Sequence, residues 1–428
     1  MLPPARVRIE LLMTGSPTTS DLVRRLTAVL AFAGRALTVL AEQEDSNAEE
    51  TTDAPLEKIV AETAMLLLAA APVAESNASV CEQVLATGSR LVPLARSARV
   101  LGRIRLQPAV ALDFGAAHVC LSRLRLGDPT VDRVLATSLA SPVASMRERL
   151  PYRQLEADWL AMGSGAGGTP VDCGAARSVS TALGRGLDAL VSSRDDVYAF
   201  THALLYLSDF GRRLPDLPRR ADLVVGDAEC ALASALDQDD FDLAGELLMT
   251  WPLLRIPWTA AATFAFSVLA RLEDEAGFLP PLSLEGAAFS RLEGAQRRRY
   301  AFASSYHTPY VMGLLCALIL SAGRLPAWPP ETNASEAADA IVPLLGQATR
   351  PPRWEQDFAA MPRARQGLIA PLLLDVAIHR AVRRLDLVAI REALVLARRW
   401  GILASPSVSQ SADLLRRCMA TAETAEIG

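Results

Sequence analysis

Residues 195–210 read DDVYAFTHALLYLSDF, and this stretch decides the fold. Two acids open it, where the positive end of a helix dipole favours negative charge. Val197, Phe200, Ala203, Leu204 and Leu207 then put apolar side chains on nearly every side of a 3.6-residue period. A helix apolar all round is a buried helix, and it needs other elements wrapped about it. Working outward, the same grammar recurs. Leu22, Leu26, Val29, Leu30 and Ala33 share one face behind Asp21, which suits an N-cap. Helices are predicted at 55–71, 79–97, 131–148, 174–193, 195–210, 219–236, 240–250, 258–274, 286–303, 309–322, 334–347, 366–383, 386–399 and 408–423. Strand-type alternation of β-branched and aromatic residues is scarce. The expectation is an all-α protein.

Two segments look alike. Residues 240–251 (DFDLAGELLMTW) and 386–400 (DLVAIREALVLARRW) both open with Asp and close on Trp. Two copies do not set a period, but they fit stacked helical hairpins, an α/α toroid or a curved α-solenoid. The stretches 43–53 (acidic), 163–170 (glycine-rich) and 324–332 (Pro326, Pro329, Pro330) read as linkers. The chain divides as an N-terminal helical region, 1–125, and a main helical domain, 126–428, or forms one continuous domain.

Composition narrows the function. The chain has 428 residues, 51% hydrophobic and 21% charged, with a net charge of −5, so it is folded rather than disordered. Scattered arginines on an acidic chain give no phosphate-backbone footprint, so nucleic acid is not an expected partner. Six cysteines occur without a paired or Cys/His spacing, and no His-x-x-x-His appears, so neither a metal nor another cofactor is expected. No apolar run reaches the roughly 20 residues of a membrane span. No signal-peptide pattern opens the chain, and a cytoplasmic protein is expected. All basic residues but Lys58 are arginine, which with the Ala- and Leu-rich usage fits a high-GC bacterial genome.

Against this apolar background the polar residues stand out. Tyr198, His202, Tyr206 and Asp209 line one stripe of the 195–210 helix, and buried polar groups must be hydrogen-bonded or face a wet cavity. The stripe reads as an acid–base array, His202 tuned by Asp209 and Tyr206, or as a polar network locking the core. The second motif is Tyr306-His307-Thr308-Pro309-Tyr310. Thr308 suits an N-cap and Pro309 the first helical position. His307 would then precede a helix start that depresses its basicity and welcomes an anion, with Arg297, Arg298 and Arg299 one helix earlier. The candidate catalytic residues are thus His202, Asp209, Tyr206 and His307, with Tyr198, Tyr306, Thr308, Tyr310 and Arg299 binding substrate. His118 and His379, each alone in an apolar stretch, read as core histidines.

Other motifs are weaker. Gly163–Gly168 satisfies G-x-G-x-x-G without a preceding strand, so it is a linker and not a dinucleotide site. Asp-Phe-Gly occurs twice, but Lys58 lies in no kinase context. Asp237-Gln238-Asp239-Asp240 resembles the acid motif of protonation-initiated terpene cyclases, and that resemblance implies Asp239 as a proton donor. The continuation Phe241-Asp242-Leu243 departs from that family, and carbocation pockets need aromatic faces, while aromatics are only 5%.

Three segments together, LPYRQLEADWL (150–160), THALLYLSDFG (201–211) and YHTPYVMGLLCA (306–317), resemble an uncharacterised helical family of high-GC bacteria met near specialised-metabolite genes. The resemblance is placed on residues 140–420. It implies an all-helical fold and a biosynthetic setting. The function expected is a metal-free acid–base enzyme, a cyclase or lyase acting on a small molecule or peptide, as a monomer or homo-oligomer. The alternatives are a non-catalytic scaffold for a peptide or partner protein, and a terpenoid cyclase.

Overall fold

The structure, a computed structural model, describes residues 16–44, 56–165, 177–281, 291, 293–330, 335–346 and 350–425. These residues form helices joined by turns and loops, with no strand among them. The helices that frame the site are α1 (Thr19–Glu44), α2 (Leu56–Ala74), α3 (Ala111–Arg123), α4 (Pro151–Gly163), α5 (Arg194–Leu207), α6 (Ala221–Asp237), α7 (Phe241–Leu248), α8 (Ala260–Ala276), α9 (His307–Ala322), α10 (Ala370–Arg383) and α11 (Leu387–Arg399).

Helix α9 runs through the middle of the core. Of residues 308–319 only Leu314 is not buried. It packs on α1, α2 and α7. Two glycines make the approach possible. A Cβ on Gly313 would meet Val29 Cγ1 at 2.7 Å, and one on Gly245 of α7 would meet Val311 Cγ1 at 2.6 Å. Both distances are closer than carbon atoms tolerate, so these helices approach backbone to side chain. The N-terminal helix α1 turns Leu22, Leu26, Leu30, Ala33 and Leu37, all fully buried, toward this centre.

The two look-alike segments prove to be the second arms of two equivalent hairpins. Helix α6 ends in a turn whose Asp239 has φ +54°, and α10 ends in one whose Leu385 has φ +55°. In each, a backbone N–H reaches back five residues: Asp240 N to Ala235 O and Asp386 N to Ala381 O, both 2.9 Å. This is the left-handed helix stop that satisfies orphan carbonyls. The next residue is then the N-cap of the following helix. Asp240 accepts from Leu243 N at 3.2 Å, and Asp386 from Ala389 N at 2.9 Å. Helices α6 and α10 pack on each other.

Several sequence expectations are corrected. Asp21 is not the cap of α1. Thr18 caps it, accepting from Asp21 N at 3.1 Å while Asp21 Oδ2 accepts from Thr18 N at 3.1 Å, so Asp21 is the third member of a capping box. The 131–148 helix stops at Leu139 because Pro142 cannot continue it, and a 3-10 turn (Pro142–Ser145) follows. Of 174–193, the described part is helical at 177–178 and at Ala182–Arg185, the latter ended by Gly186 at φ +91°. Residues 366–383 break at Ile369, ahead of Pro371. Helices at Ala98–Leu106 and α3 were not predicted, since Pro108 and scattered arginines blur their period. Most of the linkers at 43–53 and 163–170 lies outside the described residues. No helix among the described residues is long and apolar enough to cross a membrane.

Candidate functional site

Helix α7 brings the two polar motifs together. Its sequence FDLAGELL carries Asp242 and Glu246 four residues apart, one turn above the other on the same face. Both side chains are buried, at 6% and 3% exposure. Helix α5 lies on one side of them and α9 on the other. From α5, His202 Nε2 comes within 3.5 Å of Glu246 Oε1. From α9, His307 Nε2 comes within 3.6 Å of the same oxygen and 3.5 Å of Asp242 Oδ1. The two histidines predicted from separate motifs therefore share one carboxylate. Their rings are 24% and 31% exposed, so both edges reach solvent above a buried acidic floor.

A further layer fixes each group. His307 Nδ1 pairs with Glu62 Oε2 of α2 at 2.8 Å, and Lys58 Nζ lies 3.7 Å from the other Glu62 oxygen. Thr201 Oγ1 donates to Glu246 Oε2 at 2.5 Å. Tyr198 Oη donates to Asp242 Oδ2. Arg194 clamps Asp240 with two bonds, at 2.7 and 3.2 Å, reaches Asp242 at 3.2 Å, and stacks on the Tyr198 ring. Around His202, the rings of Tyr152, Tyr198 and Tyr206 stand edge-on at 5.9, 5.9 and 6.1 Å. Among the described residues, His202 Nδ1 is buried without a hydrogen-bond partner, as is Asp242 Oδ1.

The electrostatics follow from this packing. Burial works against a charged His307, but Glu62, Glu246 and Asp242 overcome it and hold the imidazolium well above the ordinary histidine range. Burial would raise the Glu246 carboxyl, yet His202 and His307 beside it hold it well below the ordinary carboxylate range. Glu62 is likewise lowered, against burial, by His307 and Lys58. Asp242 is the exception: burial raises it, and the neighbouring Glu246 charge adds to that. Burial and the Asp242 and Glu246 charges push the Tyr198 phenol far up, so it stays a donor. The set combines a proton donor, His307, with a fixed anion, Glu246, and a second imidazole, His202.

The other predicted residues divide. Asp209 does not tune His202. Helix α5 stops at Leu207, Asp209 takes a left-handed φ of +52°, and its carboxylate accepts from Trp159 Nε1 at 2.7 Å and Arg123 Nη2 at 2.6 Å. It closes α5 onto α3 and α4. Thr308 is not an N-cap: Tyr306 keeps helical dihedrals, so α9 begins at His307 and Pro309 is its third residue. The expected lowering of His307 basicity is overturned for the same reason, since its nearest charges are carboxylates. Thr308 is buried, and Tyr310 is a core residue whose hydroxyl pairs with Thr63 Oγ1 at 2.9 Å. Tyr306 stacks edge-on against His307 at 6.0 Å. Tyr206 is buried against Trp159, 5.6 Å between rings. The Arg299 side chain lies outside the described residues.

His118 and His379 are core histidines. His118 Nε2 pairs with Asp132 at 2.8 Å and its Nδ1 accepts from Arg96 at 3.2 Å; His379 Nε2 donates to Ala189 O at 2.7 Å. In the D-x-D-D run, Asp237 binds Arg380 and Arg383, Asp239 accepts from Arg353 N at 2.9 Å, and Asp240 caps α7. All three acids serve the turn. Sequence reading missed Glu62, Asp242, Glu246 and Arg194. A signal for two of them was present: Asp242 and Glu246 are acids four apart in an otherwise apolar segment. Among the described residues, no group of three or more His, Cys, Asp or Glu is placed to hold a metal ion.

A family model described as Domain of unknown function (DUF6895) matches residues 26–317. It takes in all the residues of the cluster and begins well before the 140–420 span on which the sequence resemblance was placed. No curated protein and no solved structure matches the chain.

Proposed function

We propose a function from the premise that the chain belongs to the DUF6895 family, a domain of unknown function that hands on no activity. The reading is an acid–base enzyme of cyclase or lyase type. Its setting would be bacterial specialised-metabolite or modified-peptide biosynthesis, in the cytoplasm. One observation carries it: two partly exposed histidines from different helices converge on one buried carboxylate, Glu246 Oε1. The two core histidines, His118 and His379, are by contrast buried, at 1% and 4% exposure.

An elimination or ring closure moves one proton off the substrate and another onto it. His307, held as imidazolium by Glu62, is the group to give a proton or to stabilise a developing oxyanion. His202 is the group to accept one. Its ring is partly exposed, and its Nε2 faces Glu246 Oε1, which would stabilise the imidazolium formed. Glu246 fixes both rings and stabilises whichever is cationic, while Thr201 and Tyr198 hold the carboxylates in place. Lys58, the single lysine, flanks Glu62 and supplies positive charge at the rim.

The test incubates the purified protein and its Glu246→Gln and His307→Gln variants with a bacterial metabolite extract, read by mass spectrometry. Features consumed and formed by the wild type, and lost in both folded variants, support the reading. Identical profiles for wild type and variants overturn it. A second reading, the non-catalytic scaffold, is favoured by the exposed apolar row Leu387, Val388 and Val395 on α11. It is the reading that identical profiles would leave standing.

A further inference from the structure

One corner of the molecule joins exposed apolar side chains to uncompensated positive charge. Helix Ala98–Leu106 ends there, and the 3-10 turns Pro108–Val110 and Pro142–Ser145 pack on each other beside it. Helix Pro129–Leu139 packs on both turns and on Ala98–Leu106. Leu106 is 82% exposed, Met146 71% and Leu150 64%, and Val143 is exposed between them. The corner is tied down. Arg149 donates to Ala109 O at 3.0 Å and to Asp113 at 2.9 Å, and Arg147 reaches the same carboxylate at 3.1 Å. Large apolar side chains held in water on a fixed surface mark a place where something docks.

The charge here runs against that of the chain. Residues 96–150 hold nine arginines and four acids, a net charge of +5 on a chain whose total is −5. Three of those acids are engaged. Asp113 is held by Arg147 and Arg149, Asp132 by His118, and Asp128 caps Pro129–Leu139. Arg103, Arg105 and Arg133 are exposed, and among the described residues none of them is bonded to a carboxylate.

Charge and shape together choose the partner. Clustered arginines select an anionic surface. A peptide helix docks into a groove, whose apolar walls are partly covered by one another. Leu106 and Met146 instead keep more than two thirds of their surface in water and project from separate elements. Side chains that enter a bilayer interface stand out in this way, with arginine beside them. A second copy of the same face would be repelled by its like charge.

We propose that this corner seats the protein on an anionic phospholipid bilayer. Leu106, Val143, Met146 and Leu150 enter the boundary between headgroups and acyl chains, while Arg103, Arg105 and Arg133 meet lipid phosphates. The seat is peripheral and reversible, and it needs no spanning helix. It does not depend on the chemistry proposed for His202 and His307.

The test is cosedimentation of the full chain with vesicles of phosphatidylcholine holding about 30% phosphatidylglycerol, and with vesicles of phosphatidylcholine alone. Binding to the anionic vesicles is expected to be about tenfold tighter or more, and to weaken as sodium chloride rises from about 50 to 500 mM. Leu106→Ser with Met146→Ser should weaken it about tenfold, as should Arg103→Gln with Arg105→Gln and Arg133→Gln. All five side chains are exposed, so both variants should fold, which circular dichroism checks. Val388→Ser with Val395→Ser, on the exposed row of α11, should leave binding unchanged. His202→Ala should also leave it unchanged, which separates this proposal from the enzymatic one. Absence of vesicle binding, equal binding to the neutral vesicles, undiminished binding of the folded corner variants, or an equal loss in the α11 variant each overturns the proposal. So does binding of fluorescein-labelled polyglutamate, lost in the corner variants, without binding to vesicles; that result would assign the face to an acidic protein.

Discussion

The α6–α7 and α10–α11 hairpins are built alike and end differently. Each has the same left-handed stop, the same reach-back hydrogen bond and the same Asp cap. Six residues after each cap stands a glutamate, Glu246 in α7 and Glu392 in α11. Glu246 is buried and holds two histidines; Glu392 is exposed. The difference lies in what covers the second arm. Helices α5 and α9 pack over α7, and Gly245 lets α9 come close enough for its first residue to reach the acids. On α11 the corresponding face stays open, with Val388 where α7 has Asp242. Local sequence sets the hairpin. Long-range packing decides whether its acids are solvated or become part of a site.

Substitution of the two glutamates should break the comparison most sharply. Glu246→Gln keeps the shape but removes the shared charge, and turnover of any substrate identified in the extract assay should fall about 10²–10⁴-fold, the range of a lost acid–base group. Glu392→Gln should leave turnover unchanged. Equal effects would place the activity elsewhere. On stability, Glu246→Ala should cost about 3–5 kcal/mol by urea unfolding, because it removes the buried carboxylate that faces both imidazoles and leaves the Thr201 hydroxyl without its acceptor. Glu392→Ala should stay within about 0.5 kcal/mol.

The caps give a smaller contrast. Asp386→Ala removes one cap bond and should cost about 1 kcal/mol. Asp240→Ala also releases Arg194 from its clamp, so it should cost more in urea unfolding. Equal losses would mean that the Arg194 pair adds nothing. The smallest effect is at the turns. Leu385 is 86% exposed at φ +55°, so Leu385→Gly should stabilise by about 0.5–1 kcal/mol in thermal unfolding. Asp239→Gly should gain less, since Asp tolerates that conformation and its carboxylate accepts from Arg353 N.

Much of this was legible in the sequence. The 195–210 stretch announced a buried helix, and His202 and His307 stood out as polar residues in apolar runs. What could not be read was the partner of each. Asp209 looked right for His202 on an unbroken helix, but α5 stops two residues earlier and turns it away. Thr308 and Pro309 imitate a helix start, yet the helix begins at His307 and the charges that count are Glu62, Asp242 and Glu246. Those acids lie in other helices, at separations no local pattern encodes.

The central claim is that His307 sits in a cage of carboxylates and holds a proton there. Its folded-state basicity is raised, whereas burial lowers that of His118 and His379. The signs are therefore opposite. The His307 contribution to stability is fully present below the unfolded value of about 6.5 and is lost as pH rises through the raised folded value. The core pair instead favours unfolding as pH falls below about 6.5. Only four histidines are present, so imidazole Cε1–H resonances can be followed one by one by NMR from pH 4 to 10. One resonance, absent in His307→Gln, is expected to titrate well above 6.5 and to fall toward it in Glu62→Gln. If the resonance assigned to His307 titrates at or below 6.5, or ignores the loss of Glu62, the account is contradicted.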